Sequence, residues 1–237
     1  MKKIALVLGG SSDIGKEVVL RFLSAGWDVI SHCNKNLNHL KKIKNNYPNN
    51  LILIKSDFSK KNSLSEIIKK LNKYKISSFI NLVGFIDNIS YDKTNLENLN
   101  KCFQINAFIP MLIQKSIIKK MIKGKYGRIL NVSSIGVKYG GGKNTFNYSF
   151  SKHALEFIPS KIKSLTNLNI LSNILRVGVV NTKMMKKIKN KNIAKRISLI
   201  PIKRAAKRTE IAETIYFLSS DKNTYISNEK ITIAGGE

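Results

Sequence analysis

Seven short apolar runs punctuate the chain, near residues 3, 28, 51, 77, 127, 170 and 230, and stretches of helical periodicity separate them. Runs of this kind, bounded by glycine and polar residues, read as strands buried on both faces. Their alternation with helices calls for a parallel sheet covered on both sides. The first run is the clearest: residues 3 to 8 read KIALVL, and GGSSDIGKEVVLRFLSAG follows with glycine, small polar residues and then a helical period. This predicts strand, tight glycine turn, helix. No internal repeat and no linker divides the pattern. The expected architecture is a single α/β domain over residues 1–237, a doubly wound parallel sheet of about seven strands.

Composition agrees with that picture. A chain of 237 residues with 43% hydrophobic residues and only four prolines can bury one core and suggests neither disorder nor a fibrous repeat. No apolar run approaches the ~18 residues of a membrane span. The stretch IALVL is also too short for an export signal and lacks a small-residue cleavage site after it. Cys33 and Cys102 share no metal-ligand spacing, and neither do His32, His39 and His153, so no metal site is expected. Two unpaired cysteines fit a reduced, cytoplasmic protein. His153 follows Lys152 on a predicted helix, about 100° around the axis, and reads as structural.

The formal net charge of +28 comes from 42 basic and 14 acidic residues; six of the basic ones are arginine and 36 lysine. Such a surface attracts anions in general. The lysines are spread along the whole chain, with no aromatic-interleaved patch and no DNA-reading motif, so nucleic acid is a disfavoured partner.

Candidate chemistry lies further along. Fourteen residues separate Ser134 from Tyr148, and Lys152 follows one helical turn later. Residues at i and i+4 share a helix face, so the Lys152 ammonium is expected to favour ionisation of the Tyr148 phenol, whose ordinary pKa is about 10. In a lysine-rich chain Y-x-x-x-K also arises by chance. The start of the chain adds independent weight: Gly9 lets the backbone bend, and Ser11, Ser12 and the amides opening the helix can face a pyrophosphate at the positive end of its dipole.

Together these residues resemble the short-chain dehydrogenase/reductase family in its compact single-domain, Rossmann-type form, and within it the 3-oxoacyl thioester ketoreductases. The resemblance runs almost end to end. The family's T-G-x-x-x-G-I-G appears as Leu8-Gly9-Gly10-Ser11-Ser12-Asp13-Ile14-Gly15, with Leu8 and Asp13 as departures. Asp13 in place of glycine asks the turn to accept a Cβ at an unusual backbone angle. The adenine-contacting aspartate matches Asp57, followed by Phe58, and N-N-A-G appears as Asn81-Leu82-Val83-Gly84. Asn106 matches the helix asparagine that holds a water linked to the lysine. The strand Gly127 to Ser134 delivers the catalytic serine, aligned with Ser134; the loop to Tyr148 looks one residue longer than usual, which leaves Ser133 as an alternative. Val177-Gly178 stands for the P-G motif, with Val180 and Thr182 toward the nicotinamide, and Ile231 to Gly236 resembles the terminal strand.

The resemblance implies a hydride transfer between nicotinamide C4 and a carbonyl carbon, with Tyr148, Ser134, Lys152 and Asn106 catalytic and Gly9, Ser11, Ser12, Asp13, Ile14, Gly15, Asn34, Lys35, Asp57, Phe58, Asn81, Gly84, Val180 and Thr182 around the cofactor. Cofactor choice is expected at the end of the second strand. There Cys33 and Asn34 stand where an NAD enzyme carries a carboxylate, and Lys35 can pair with a 2′-phosphate, so NADP is favoured over NAD. A surface lysine is the plainer reading of Lys35. Residues 182–200 fall where the family has its substrate lid; Lys183, Met184, Met185, Lys186 and Lys187 there suit an anionic or carrier-bound carbonyl substrate, or else form a solvated basic helix. The family forms homotetramers, and a short tail after Gly236 leaves a dimer open. Relatives acting on nucleotide sugars, and a non-catalytic dinucleotide sensor, are the competing readings.

Overall fold

Along β1 (Ile4–Leu8) successive side chains go to opposite faces: Ala5 and Val7 join one buried apolar cluster, Leu6 and Leu8 another. This is why the run carries no polar alternation. In the computed structural model, which describes residues 2–35, 37–188 and 192–237, each predicted apolar run is a strand. The others are β2 (Asp28–Cys33), β3 (Leu51–Lys55), β4 (Ile76–Asn81), β5 (Gly127–Ser134), β6 (Ile170–Val177) and β7 (Lys230–Ile233). They pair in parallel in the order β3-β2-β1-β4-β5-β6-β7.

Helices fill the crossovers: α1 (Asp13–Ser24), α2 (Asn38–Asn46), α3 (Ser63–Leu71), α4 (Leu96–Phe103), α5 (Ile109–Gly124), α6 (Phe146–Ala154), α7 (Ser160–Lys163), α8 (Lys183–Lys186), α9 (Ile193–Ser198) and α10 (Arg208–Ser219). One face of the sheet is covered by α1, α2 and α10, through Val18, Phe22, Leu40 and Ile215 among others. The opposite face is covered by α3, α5 and α7, through Ile67, Leu71, Ile113 and Ile162. Each such side chain removed from water stabilises the fold by roughly 1.5–3 kcal/mol before entropy is charged against it.

Two local features position the site. Strand order reverses between β1 and β4, so their carboxyl ends open a crevice where α/β sheets bind ligands. Helix α4 runs into α5 through a π turn, Gln104–Phe108. Pro110, in the first turn of α5, has no N–H to give the carbonyl of Asn106 four residues back, which accounts for a widened turn at that point.

Candidate active site

Ser134 is the last residue of β5, and Tyr148 and Lys152 project from α6. The Tyr148 side chain is hydrogen-bonded to that of Ser134, whose Oγ also accepts from the Gly136 amide at 3.1 Å. Ser133, one residue earlier, faces the other way, as strand alternation requires. Its hydroxyl donates to Glu156 Oε1 at 2.8 Å, and Glu156 is in turn paired with Arg176. The strand register therefore brings Ser134, not Ser133, to Tyr148.

Lys152 is buried, and its Nζ donates to the carbonyls of Val83 (2.6 Å) and Val132 (2.7 Å), 5.9 Å from the centre of the Tyr148 ring. Burial pulls its pKa down to about 7. Burial also pushes the Tyr148 phenol up to about 12, against the lowering effect of the Ser134 hydrogen bond. The expectation that Lys152 depresses the phenol's pKa is thus corrected: the ammonium is held by carbonyls, and desolvation dominates at the tyrosine.

Asn106 is fully buried in the π turn. Its Oδ1 accepts from the Phe85 amide at 2.7 Å, and its Nδ2 donates to the Phe85 carbonyl and to Ser151 Oγ, both at 2.9 Å. Both side-chain N–H groups are therefore engaged within the protein. The amide braces the chain after Gly84 against α6. Asn81 is committed similarly: Nδ2 donates to Asn131 Oδ1 at 3.1 Å and Oδ1 accepts from the Val83 amide at 3.1 Å. Gly84 lies where two side chains converge. A Cβ built on it would stand 3.1 Å from Met184 Cε and 3.6 Å from Tyr148 Cε2.

At the glycine turn, Gly9 has φ +78°, and a Cβ there would meet the Leu82 backbone at 3.1 Å; one on Gly15 would meet the Gly9 carbonyl at 2.4 Å. Ser12 caps α1, its Oγ accepting from the Gly15 amide at 3.0 Å. Ser12 is exposed, and Ser11 and Ile14 are half-buried at the same end.

A family model described as Enoyl-(Acyl carrier protein) reductase matches residues 9–237. The chain is 34% identical over 242 residues to the 3-oxoacyl-[acyl-carrier-protein] reductase FabG of Buchnera aphidicola subsp. Schizaphis graminum, covering 99% of this chain and 97% of the relative. It belongs to the short-chain dehydrogenase/reductase family. Among solved structures, ElxO with NADP bound is 25% identical with a TM-score of 0.85, and YwfH, an NADPH-dependent reductase involved in bacilysin biosynthesis, is 24% identical with a TM-score of 0.88. Each alignment covers 100% of this chain and 98% of the other. This short-chain dehydrogenase/reductase is accordingly an oxidoreductase.

The glycine turn fits a dinucleotide, because the bare Cα atoms of Gly9 and Gly15 let backbone amides come close to a ligand at the start of a helix. Asn34 and Lys35 are exposed at the end of β2, where an adenosine ribose would lie. Sequence expectations for five residues are revised around this crevice. Cys33 is fully buried in the core, so it cannot read a ribose, and Asn34 alone marks that position. Asp13 does not adopt a left-handed backbone; it begins α1, and its carboxylate accepts from the Lys183 amide at 2.6 Å. The Phe58 ring is buried, and Val180 is buried in a bridge to Ala206, so neither side chain is open to a cofactor. Thr182 is buried as well, and its hydroxyl caps α8 through the Met185 amide at 3.4 Å. Asp57 stays half-buried, accepting from Ser59 N at 3.0 Å and Ser59 Oγ at 2.7 Å, hydrogen bonds that hold its carboxyl below the usual range.

One residue of the crevice escaped sequence reasoning. His32, buried in β2, stacks on Phe58 with ring centres 4.2 Å apart, lies 3.0 Å from the Ser56 carbonyl through Nε2, and accepts from the Gly9 amide through Nδ1 at 3.3 Å. Burial pulls its pKa down to about 4, so it is neutral near pH 7 with the proton on Nε2. It ties the glycine turn to the ends of β2 and β3. The only sequence signal was a histidine inside an apolar strand.

Proposed function

We propose that the chain is an NADPH-dependent ketoreductase acting on 3-oxoacyl thioesters or closely similar carbonyls. The observation that carries this reading is the Ser134–Tyr148 hydrogen bond beside buried Lys152, in a chain related over 99% of its length to a 3-oxoacyl-[acyl-carrier-protein] reductase. Bound NADPH supplies a hydride from its nicotinamide. Tyr148 gives its phenolic proton to the substrate carbonyl oxygen, and Ser134 donates a hydrogen bond to the same oxygen. Lys152 stabilises the phenolate left behind once it turns from the carbonyls of Val83 and Val132. Asn106 and Asn81 keep the chain around Gly84 in place. Gly9, Ser11, Ser12, Ile14 and Gly15 cradle the phosphates, Asp57 lies near the adenine, and Asn34 with Lys35 favours a 2′-phosphate.

Residues 182–200, of which 189–191 lie outside the described residues, are the substrate lid of this reading, with Met184 over Gly84. Exposed Phe108, Met111, Leu112, Phe150 and Phe157 on and around α5 and α6 support association into a homo-oligomer, a tetramer by preference, and the two free cysteines suit a cytoplasmic protein. Among the described residues, no helix is long and apolar enough to cross a membrane.

The test is titration with NADPH and NADH, followed by NADPH oxidation against an acetoacetyl thioester, a nucleotide keto-sugar and a neutral diketone. Tight NADPH binding with turnover selective for the thioester is expected. Turnover of the keto-sugar alone would overturn the substrate class, and NADPH binding without any turnover would overturn the ketoreductase reading.

A further inference from the structure

The family pattern leaves position 13 without a side chain; here it holds a carboxylate that is 8% exposed and reaches across the molecule. Asp13 Oδ2 accepts from the Lys183 amide at 2.6 Å, and Oδ1 faces Lys16 Nζ at 3.7 Å and Arg208 Nη1 at 3.9 Å. Arg208 Nε also donates to the Asn181 carbonyl at 2.9 Å. The hinge of the lid is thereby gripped on both sides of Thr182: at the amide of 183 by Asp13 itself, and at the carbonyl of 181 through the arginine that Asp13 faces. Helix α8 starts at that hinge, and its second residue, Met184, reaches the place where Gly84 meets Tyr148. Contacts run from the glycine turn through Asp13 to the hinge, and Met184 just beyond it lies beside Gly84, to which Tyr148 also comes near.

We infer that Asp13 is a positioning residue that fastens the substrate lid to the cofactor turn. This rests on the reading of residues 182–200 as the lid. The carboxylate provides the acceptor that the first amide of α8 needs, which a glycine at 13 would leave without one. It sits beside Ser12, Ile14 and Gly15, so the element that receives the cofactor phosphates also sets the lid's position. Two cations, Lys16 and Arg208, face this single anion. Removing the carboxylate frees the lid while leaving more positive charge at the phosphate site. The two consequences have opposite signs, lower affinity for substrate and equal or higher affinity for NADPH, whereas damage to the fold would weaken both.

The experiment compares wild type with Asp13→Ala and Asp13→Asn. The first removes the acceptor; the second keeps a neutral one. For Asp13→Ala the KM for the acetoacetyl thioester should rise on the order of ten-fold, the loss expected for a hydrogen bond to a charged group, while the NADPH Kd stays equal or falls. Asp13→Asn should lie between it and wild type. Trypsin cleavage after Lys183, Lys186 and Lys187, followed by mass spectrometry, should be faster in Asp13→Ala than in wild type, and added NADPH should slow it in wild type but not in Asp13→Ala. An unchanged KM together with unchanged cleavage would overturn the inference, as would a parallel weakening of NADPH and substrate in both variants. The proteolysis arm needs no turnover, so a wild type that reduces none of the carbonyls would refute the proposed reaction while the fastening of the lid is still decided by cleavage.

Discussion

Tyr148 and Lys152 have pKa values displaced in opposite directions, the phenol to about 12 and the ammonium to about 7, each chiefly by burial. A phenol held in its protonated form at neutral pH is the form that can donate to an oxygen acquiring negative charge. Tyr148→Phe should lower the NADPH oxidation rate by at least ~100-fold and leave the NADPH Kd, measured by fluorescence titration, nearly unchanged. Asn34→Asp places a carboxylate at the exposed end of β2 and should shift the ratio of NADPH to NADH affinity toward NADH; an unchanged ratio would show that the ribose lies elsewhere. The same change at Cys33 should instead destabilise the protein, because it buries an unpaired charge in a fully buried position. A thermal melt separates these outcomes.

At the scale of the element, helix α6, which carries Tyr148 and Lys152, is held from several sides. Asn147, fully buried directly before Tyr148, donates to Asp87 Oδ2 at 2.7 Å and accepts from Thr94 Oγ1 at 3.1 Å. These two bonds join α6 to the loop after β4. Behind the helix, Glu156 accepts from Ser133 and Arg176; burial would raise its carboxyl, but those partners hold it below the usual range. In front, Asn106 joins Ser151 to the Phe85 backbone. Asn147→Ala should cost about 1–3 kcal/mol by leaving buried partners unsatisfied, read as a lower urea midpoint. It should also reduce kcat, since the tyrosine then loses its fixed approach. A drop in stability with kcat intact would show that the loop alone depends on Asn147. None of these partners carries a motif. They lie 20 to 60 residues apart in sequence, and only the fold brings them to one helix.

Across the whole molecule, the buried His32 makes stability depend on acid. Its folded pKa of about 4 lies below the ordinary 6.5, so the unfolded chain binds the proton first as pH falls. Its contribution is complete above pH 6.5 and is lost as pH falls toward 4, by about 3 kcal/mol. Urea unfolding at pH 7 and pH 4.5 should show this loss in wild type and a shallower pH dependence in His32→Gln; equal slopes would remove His32 as the cause. The seven strands, their parallel pairing and the glycine turn were legible in the chain, because strands buried on both faces need uninterrupted apolar runs and a tight turn needs glycine. The Ser, Tyr and Lys positions were legible too, since helical spacing fixes Tyr148 and Lys152 on one face. Tertiary structure alone decided what long-range contact controls: which of two adjacent serines faces the tyrosine, that Cys33 points into the core, that burial outweighs Lys152 at the phenol, and that the carboxylate of Asp13 reaches a backbone amide 170 residues away. Local pattern encodes what neighbours along the chain require. Solvent exclusion and hydrogen-bond partners are properties of the assembled fold.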